Sequence, residues 1–453
     1  MVGKSISLPM HHELVDEDIE EMLKVMNLNS WEELFSDIPK EARKDSIKIE
    51  GMDEYSLYRY ALELSSKNKD FFNMPNFLGA GVYFHFIPPV VNALVSRSEF
   101  YTSYTPYQPE VSQGMLQALF EYQSLIAELT GMDVANSSMY DGSTALGEAA
   151  RMTYRINRKR EILVPENLHW EKESVLKNYL VGVGMEIKKY KLNERGMVDL
   201  EDIKEKVNEN TAAVYAENPN FFGIIDKNVL HLKECIGKAV LIVGVNPISL
   251  GVIKPPGEYG ADIVIGEGQI LGNPISFGGP LLGIFATKKE YIRKMPGRLI
   301  GMTRDAEGRR AFVMTLQTRE QHIRRGRATS NICSNEALCA LYSTVYMAYL
   351  GSDGLRKLAL KNMENAKKLM EKLREIGLNA PHFDAPHFNE FLVDLPGEPH
   401  EIAKKLVEKG VHGGLPIRES CYRGIGNAML LCTTEMHTEA DMDKLVNALK
   451  EVL

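Results

Sequence analysis

Apolar and polar positions follow three different rhythms along the chain. From residue 16 to about residue 71 the spacing is helical in a charged background, with Ile19, Met22, Leu23 and Met26 making one stripe at intervals of three and four. So short a helical preface is not expected to fold alone, and it predicts an arm that wraps a partner or the main domain. From residue 76 to about 351, helical patterns alternate with short apolar runs. Met115, Leu119, Tyr122, Ile126 and Leu129 predict a helix over 112–130, stopped by Gly131. Ile162-Leu163-Val164, Ala212 through Tyr215, Val240 through Val243 and Ile263-Val264-Ile265 predict buried strands, with a further strand over 281–285. This alternation implies a mainly parallel sheet with helices on both faces, and a ligand site at the carboxyl ends of its strands.

After Gly351 the rhythm changes again. Lys/Glu-rich faces predict a long helix over 354–376, and Gly377 is placed to end it in the left-handed conformation of a C-terminal cap. A strand over 391–395, a helix over 398–409, an apolar run over 429–432 and a final helix from Thr438 complete a smaller α/β unit. The expected organisation is therefore α/β, with a helical N-terminal arm (1–75), a large domain (76–350) and a small C-terminal α/β domain (351–453).

Composition narrows the class. Basic residues number 53 against 61 acidic ones, and the net charge of -8 argues against general nucleic-acid binding. No run of about 18 apolar residues is present to cross a membrane, and the N-terminus turns acidic without an apolar secretory segment, so the cytoplasm is the expected location. The five cysteines, Cys235, Cys333, Cys339, Cys421 and Cys432, include no CxxC pair, which speaks against a zinc site or a redox dithiol. His11-His12 and the His382/His387 pair show no metal-ligand spacing either.

Candidate chemistry begins at Asp141-Gly142-Ser143-Thr144, ahead of a helix expected over 145–156. The free N–H groups at such a helix start favour an anion, but Asp141 is a favoured N-cap residue and would repel a dianion. Capping therefore ranks ahead of phosphate binding. Arg319, Arg324, Arg325 and Arg327 surround His322 and could grip an acidic partner or an anion. A salt-bridged face is the equal alternative.

Four strings carry a family resemblance: YTSYTPYQPEVSQG at 101–114, SMYDGSTALGEA at 138–149, NPISLGVIKPPGEYGADIVIGEGQ at 246–269 and REQHIRRGRATSNIC at 319–333. They resemble the glycine decarboxylase (P-protein) family of the glycine cleavage system, and within it subunit 1 of the two-subunit form. The resemblance implies a fold-type I pyridoxal-phosphate-dependent transferase fold. It also places the phosphate cradle at Asp141, Gly142 and Ser143, and the cofactor lysine where this chain has Gln269. An amide nitrogen is not nucleophilic and forms no Schiff base. The aspartate expected to hold the ring nitrogen is matched by Asn246, 23 positions earlier, which cannot supply a charge. Lys254, Lys288 and Lys289 are the nearest replacement lysines, but Lys254 lies early in a Pro-rich loop and the Lys288-Lys289 pair reads as solvated.

What the resemblance implies is a subunit whose partner does the cofactor chemistry. Subunit 2 would bind pyridoxal phosphate covalently, two copies of each subunit would assemble, and the complex would decarboxylate glycine and pass the aminomethyl group to the lipoyl group of H-protein. Tyr101, Tyr104, Tyr107 and Gln108, rigid and rich in hydrogen-bonding groups, are the candidates for completing the partner's pocket. The competing readings are a self-sufficient pyridoxal-phosphate enzyme using another lysine, and a stand-alone binding or regulatory protein.

Overall fold

The computed structural model describes residues 15–44, 51–418, 421–422 and 424–453; His11 and His12 lie outside them. The described residues of the first 70 positions form one compact unit, and Phe71–Leu453 forms a second. In the first unit the helices Asp16–Val25 and Glu54–Ser65 bury no residue, and Ile19, Met22 and Met26 of the predicted stripe are exposed.

The second unit is built on a seven-stranded sheet. In chain order its strands are β1 (Val134–Ala135), β2 (Glu161–Pro165), β3 (Glu186–Tyr190), β4 (Thr211–Glu217), β5 (Val240–Val245), β6 (Ile263–Glu267) and β7 (Gly283–Thr287). Across the sheet the order is β1-β7-β6-β5-β4-β2-β3. The five strands from β3 to β6 run parallel, while β7 is antiparallel to both of its neighbours. Because successive side chains leave a strand on opposite faces, each run feeds two cores. Leu163, Val214, Leu241, Val243 and Val264 pack with Met115, Leu119, Tyr122 and Ile126 of the helix Gln113–Thr130. Ile162, Val164, Tyr215, Ile242 and Ile265 pack on the other side with Leu146, Ala149 and Met152 of the helix Gly142–Asn157. Gly131 ends the first of these helices at φ 67°.

Most boundaries shift by one to three residues from the sequence reading, and two of the differences have a clear physical reason. The last strand of the large sheet starts at Gly283 rather than at residue 281, because the Leu282 N–H is already held by the Glu267 carboxylate and its carbonyl accepts from Gly268. The helix expected from residue 354 begins at Ala337 and runs to Glu375, interrupted only at Gly351, which has φ 60° and ψ -176°. Its first half is nearly all apolar and so lacks the polar phase that marks a helix in sequence.

Ahead of that helix, β8 (Leu299–Arg304) and β9 (Arg310–Thr315) form a hairpin; beyond it, β10 (Glu390–Asp394), β11 (Leu415–Ile417) and β12 (Ala428–Cys432) form a three-stranded antiparallel sheet in the order β10-β12-β11. Phe391 and Val393 of β10 face a core with the helices Pro399–Glu408 and Glu439–Val452, whereas Leu392 faces Phe221 and Phe222. That alternation brings Glu390 to the ends of the large sheet's strands. Among the described residues no helix is long and apolar enough to cross a membrane.

Candidate functional site

A pocket opens at the carboxyl ends of the parallel strands, where this topology concentrates binding. It is lined by Tyr83, Asp141, Gly142, His169, Lys172, Glu217, Asn246, Glu267 and Glu390, among others. Four of the five sequence-predicted cofactor positions, Asp141, Gly142, Ser143 and Asn246, thus line it, and the fifth, Gln269, is bonded to the lining residue Tyr83. Asp141, Gly142, Asn246 and Gln269 are already engaged by the protein itself.

Asp141 is the N-cap of the helix Gly142–Asn157, its Oδ1 accepting the Thr144 N–H at 2.8 Å. The neighbouring Gly142 N–H donates not to solvent but to Glu267 Oε2, at 2.9 Å. The other Glu267 oxygen accepts the N–H groups of Gln269 and Leu282, each at 2.9 Å. Burial raises the pKa of this carboxyl to about 7 against those three donors, and the nearby Asp141 charge adds to the rise. Gln269 is 2% exposed. Its Oε1 accepts from the Tyr83 N–H at 3.1 Å and its Nε2 donates to the Asn273 carbonyl at 2.8 Å. Asn246 turns its Oδ1 onto the N–H groups of Ile248 and Ser249, capping the turn Pro247–Gly251.

The lysines weighed from sequence lie elsewhere. Lys254 pairs with Glu258, Lys288 with Asp262, and Lys289 is exposed. The pocket does contain Lys172, which sequence reasoning missed; its ammonium is bound to buried Glu217, which also accepts from the Tyr215 hydroxyl at 2.8 Å. Glu390 closes the far wall, accepting from the Tyr83 hydroxyl and the Ala80 N–H, both at 2.6 Å, with its pKa raised to about 7 by burial. His169, beside Trp170 and Phe221, is pushed down to about 4, chiefly by burial, and stays neutral. No contiguous motif marks these residues. Only the strand-end position of Glu217 and Glu267 could have pointed to them.

A second polar cluster lies around Arg298, also unanticipated. This buried guanidinium donates to Thr105 Oγ1 at 2.8 Å and to the Tyr107 hydroxyl at 3.0 Å, and faces Glu320 at 3.4 Å. It also stands 5.3 Å from the centre of the Tyr107 ring. The segment 101–110 is thereby fixed at its middle, yet Tyr101, Tyr104 and Tyr107 remain 63%, 74% and 44% exposed, and Gln108 is exposed too. The Tyr104 hydroxyl meets Ser334 Oγ at 2.9 Å. His322 packs edge-on against the Tyr107 ring, with 5.6 Å between centres.

The expected arginine group is split, which corrects one of its members. Arg319 is buried, and its guanidinium donates to the carbonyls of Met295, Gly297 and Leu316, so it has no donor directed at a partner. Three backbone acceptors satisfy the charge where no anion could reach it. Arg324, Arg325 and Arg327 are exposed with His322. Among the described residues no group of His, Cys, Asp and Glu side chains could hold a metal ion.

Residues 10–449 match the sequence family described as glycine cleavage system P-protein. The chain is 50% identical over 438 residues to the probable glycine dehydrogenase (decarboxylating) subunit 1 of Thermoplasma acidophilum, covering 96% of this chain and all of that one. It is 51% identical over 443 residues to the protein of the same name from Pyrococcus furiosus, covering 96% of this chain and 97% of that one. Among solved structures it is similar to an inhibitor-bound glycine decarboxylase (P-protein) of the glycine cleavage system, with a TM-score of 0.91 and 43% identity over 98% of this chain and all of that one. A Lactobacillus brevis glutamate decarboxylase shares the fold at a TM-score of 0.67 and 11% identity, covering 90% of this chain and 94% of that one.

Proposed function

The chain belongs to the glycine cleavage system P-protein family, and from that premise we propose that it is the cofactor-free half of a two-subunit glycine decarboxylase. It is a subunit of the glycine dehydrogenase (decarboxylating) of that system, and pyridoxal phosphate serves the complex. This chain's residues do not fit the cofactor. The single observation that carries the reading is the state of the strand-end pocket: no free amine at Gln269, a carboxylate already on the Gly142 N–H, and Asn246 turned onto its own backbone. In a pocket so engaged the Gly142 and Thr144 N–H groups are already taken by carboxylates, and Asn246 offers no charge for a ring nitrogen.

In this reading subunit 2 binds the cofactor on its own lysine, two copies of each subunit assemble in the cytoplasm, and the lipoyl group of H-protein receives the aminomethyl carbon of glycine. The arm (1–75), large domain (76–350) and small domain (351–453) then serve assembly and shaping of the partner's site. Tyr101, Tyr104, Tyr107 and Gln108 are the groups that reach across. Their support is exposure combined with a rigid anchor, since Arg298 holds the segment at Thr105 and Tyr107 while Tyr101 and Tyr104 stay largely exposed.

Reconstitution tests this directly. Each subunit and their mixture are assayed for glycine-dependent carbon dioxide exchange, then reduced with borohydride in the presence of pyridoxal phosphate and mapped by mass spectrometry. Exchange is expected only in the mixture, with stoichiometric label only on subunit 2. Stoichiometric label at one lysine of this chain, Lys172 included, overturns the reading.

A further inference from the structure

An open anion cradle at a helix start leaves backbone donors that must be satisfied. Here the helix is long, Gly142–Asn157, and its start faces the strand-end pocket. Asp141 takes the Thr144 N–H, but its geometry leaves the Gly142 N–H to a second acceptor. That acceptor is the last residue of β6. We propose that the Glu267 carboxyl group is a built-in acceptor standing where the phosphate of a ligand would sit, closing the cradle and tying the strand ends together without a cofactor.

The inference rests on the reading of a cofactor-free subunit and adds the agent that keeps it so. Glu267 joins three separate pieces of backbone: the start of the helix Gly142–Asn157, the loop after β6 at Gln269, and Leu282 just ahead of β7. A bound phosphate would make the same kind of multi-donor contact, but as a separate molecule. The carboxylate is held in place by the β6–β7 ladder, in which Glu267 pairs with Gly283. Its distance of 2.9 Å to the Gly142 nitrogen leaves no space for a phosphate oxygen between them. The packing is equally close, since a Cβ added at Gly142 would stand 3.3 Å from the Glu267 Cβ. Asp141 lines the same pocket, so a phosphate at this helix start would meet two carboxylates, while the pocket's Lys172 is paired with Glu217. Loss of a lysine explains only why no covalent bond forms; Glu267 explains why the phosphate-bearing part is refused as well.

The test uses the full chain, inorganic phosphate, and pyridoxine 5′-phosphate, which lacks the aldehyde and cannot label lysines. Thermal unfolding of wild type, Glu267→Ala and Glu267→Asp is compared in phosphate and in chloride at matched ionic strength, with calorimetric titration of pyridoxine 5′-phosphate. Wild type and Glu267→Asp, which keeps the charge, are expected to show no phosphate-specific response. Glu267→Ala is expected to melt earlier in chloride, to recover in phosphate by the stabilisation that ligand binding to the folded state confers, and to bind the ester at one site at least tenfold more tightly than wild type. A folded Glu267→Ala that responds to phosphate no more than wild type overturns the proposal, as does a wild type that binds the ester equally well. If Glu267→Ala folds in neither anion, Glu267→Ser is judged by the same two criteria. Failure here with no borohydride label on this chain removes the role of Glu267 and leaves the subunit assignment standing, whereas label on this chain removes the assignment itself.

Discussion

Two buried charged groups in the second unit meet opposite fates. Glu267 is surrounded by backbone N–H groups and ends its reach inside the protein, whereas Arg298 holds side chains whose other faces lie in solvent. The first arrangement makes a pocket self-sufficient. The second makes a surface rigid without burying it, since Tyr107 is held by Arg298 and His322 and Tyr104 by Ser334, and both rings remain exposed. The contrast separates a group whose bonds all end inside the protein from one that stiffens an exposed segment. A site that no longer needs a ligand can satisfy its donors internally, while a surface meant for a neighbour needs anchors below it and unpaired area above.

The largest effect should come from removing the anchor. Arg298→Ala takes the facing guanidinium from the buried Glu320 carboxylate, leaving His322 3.6 Å away, and frees Thr105 and Tyr107 together. Breaking a buried pair in this way costs about 3–5 kcal/mol, so the urea midpoint should fall steeply and exchange activity with subunit 2 should be lost. Arg298→Lys restores a charge but not the two-pronged grip, so stability should return in part while activity lags behind. Wild-type stability in Arg298→Ala would mean that the exposed segment does not depend on this group.

Next in size are the hydroxyls, which separate presentation from support. Tyr104→Phe loses only one bond to Ser334 at an exposed position, so folding should be unchanged. If its hydroxyl orients the substrate on subunit 2, turnover should fall by roughly a hundredfold, on the order of 3 kcal/mol. Tyr107→Phe should instead lower stability by about 1 kcal/mol, because its hydroxyl is tied to Arg298. Carbon dioxide exchange by both variants, with Tyr101→Phe alongside, decides the matter. Full activity in all three ends the case for a hydroxyl in the partner's site.

The sheet, its mainly parallel sense and most element boundaries were legible because buried strands are short apolar runs set off by turn residues. Helix Ala337–Glu375 was half hidden for the converse reason, its first turns being apolar all round. Within the pocket, Asp141, Gly142, Asn246 and Gln269 could be found because the family motif runs through them as contiguous sequence. Glu217, Glu390 and Lys172 could not: they come from three distant segments and meet only once the sheets are packed. Arg298 was invisible for a related reason, since its partners at 105, 107 and 320 are joined by tertiary contacts alone. Arg319 misled because its neighbours in sequence are exposed, and only the fold shows that its guanidinium meets three carbonyls.

The closed pocket should also show itself in the pH dependence of stability. Burial raises Glu267 and Glu390 from 4.5 to about 7. Each folded-state pKa lies above the unfolded one, so the stabilising contribution is fully present below about pH 4.5 and is lost as pH rises towards 7. Glu267→Gln deletes one of the two groups. Its urea midpoint should therefore vary less between pH 5 and 8, by roughly 1–3 kcal/mol across the window. Parallel curves for wild type and variant would mean that Glu267 does not hold a proton there, and the pocket would be closed by a fixed charge.

The smallest effect belongs to the exposed arginines. Arg324 and Arg327 are exposed, unlike Arg319, so replacing either with alanine should leave folding intact and change assembly or H-protein-dependent turnover by about 0.2–1 kcal/mol. The sign of the salt response identifies the cause. Charges meeting an acidic partner are screened over about 8 Å near physiological ionic strength, so wild type should lose its advantage as salt rises and the two titrations should converge. A difference that persists undiminished in high salt would instead mean that the side chains act by packing, as the long stem of arginine can. No difference at any salt concentration would confine the partner-facing surface to the aromatic segment that Arg298 supports.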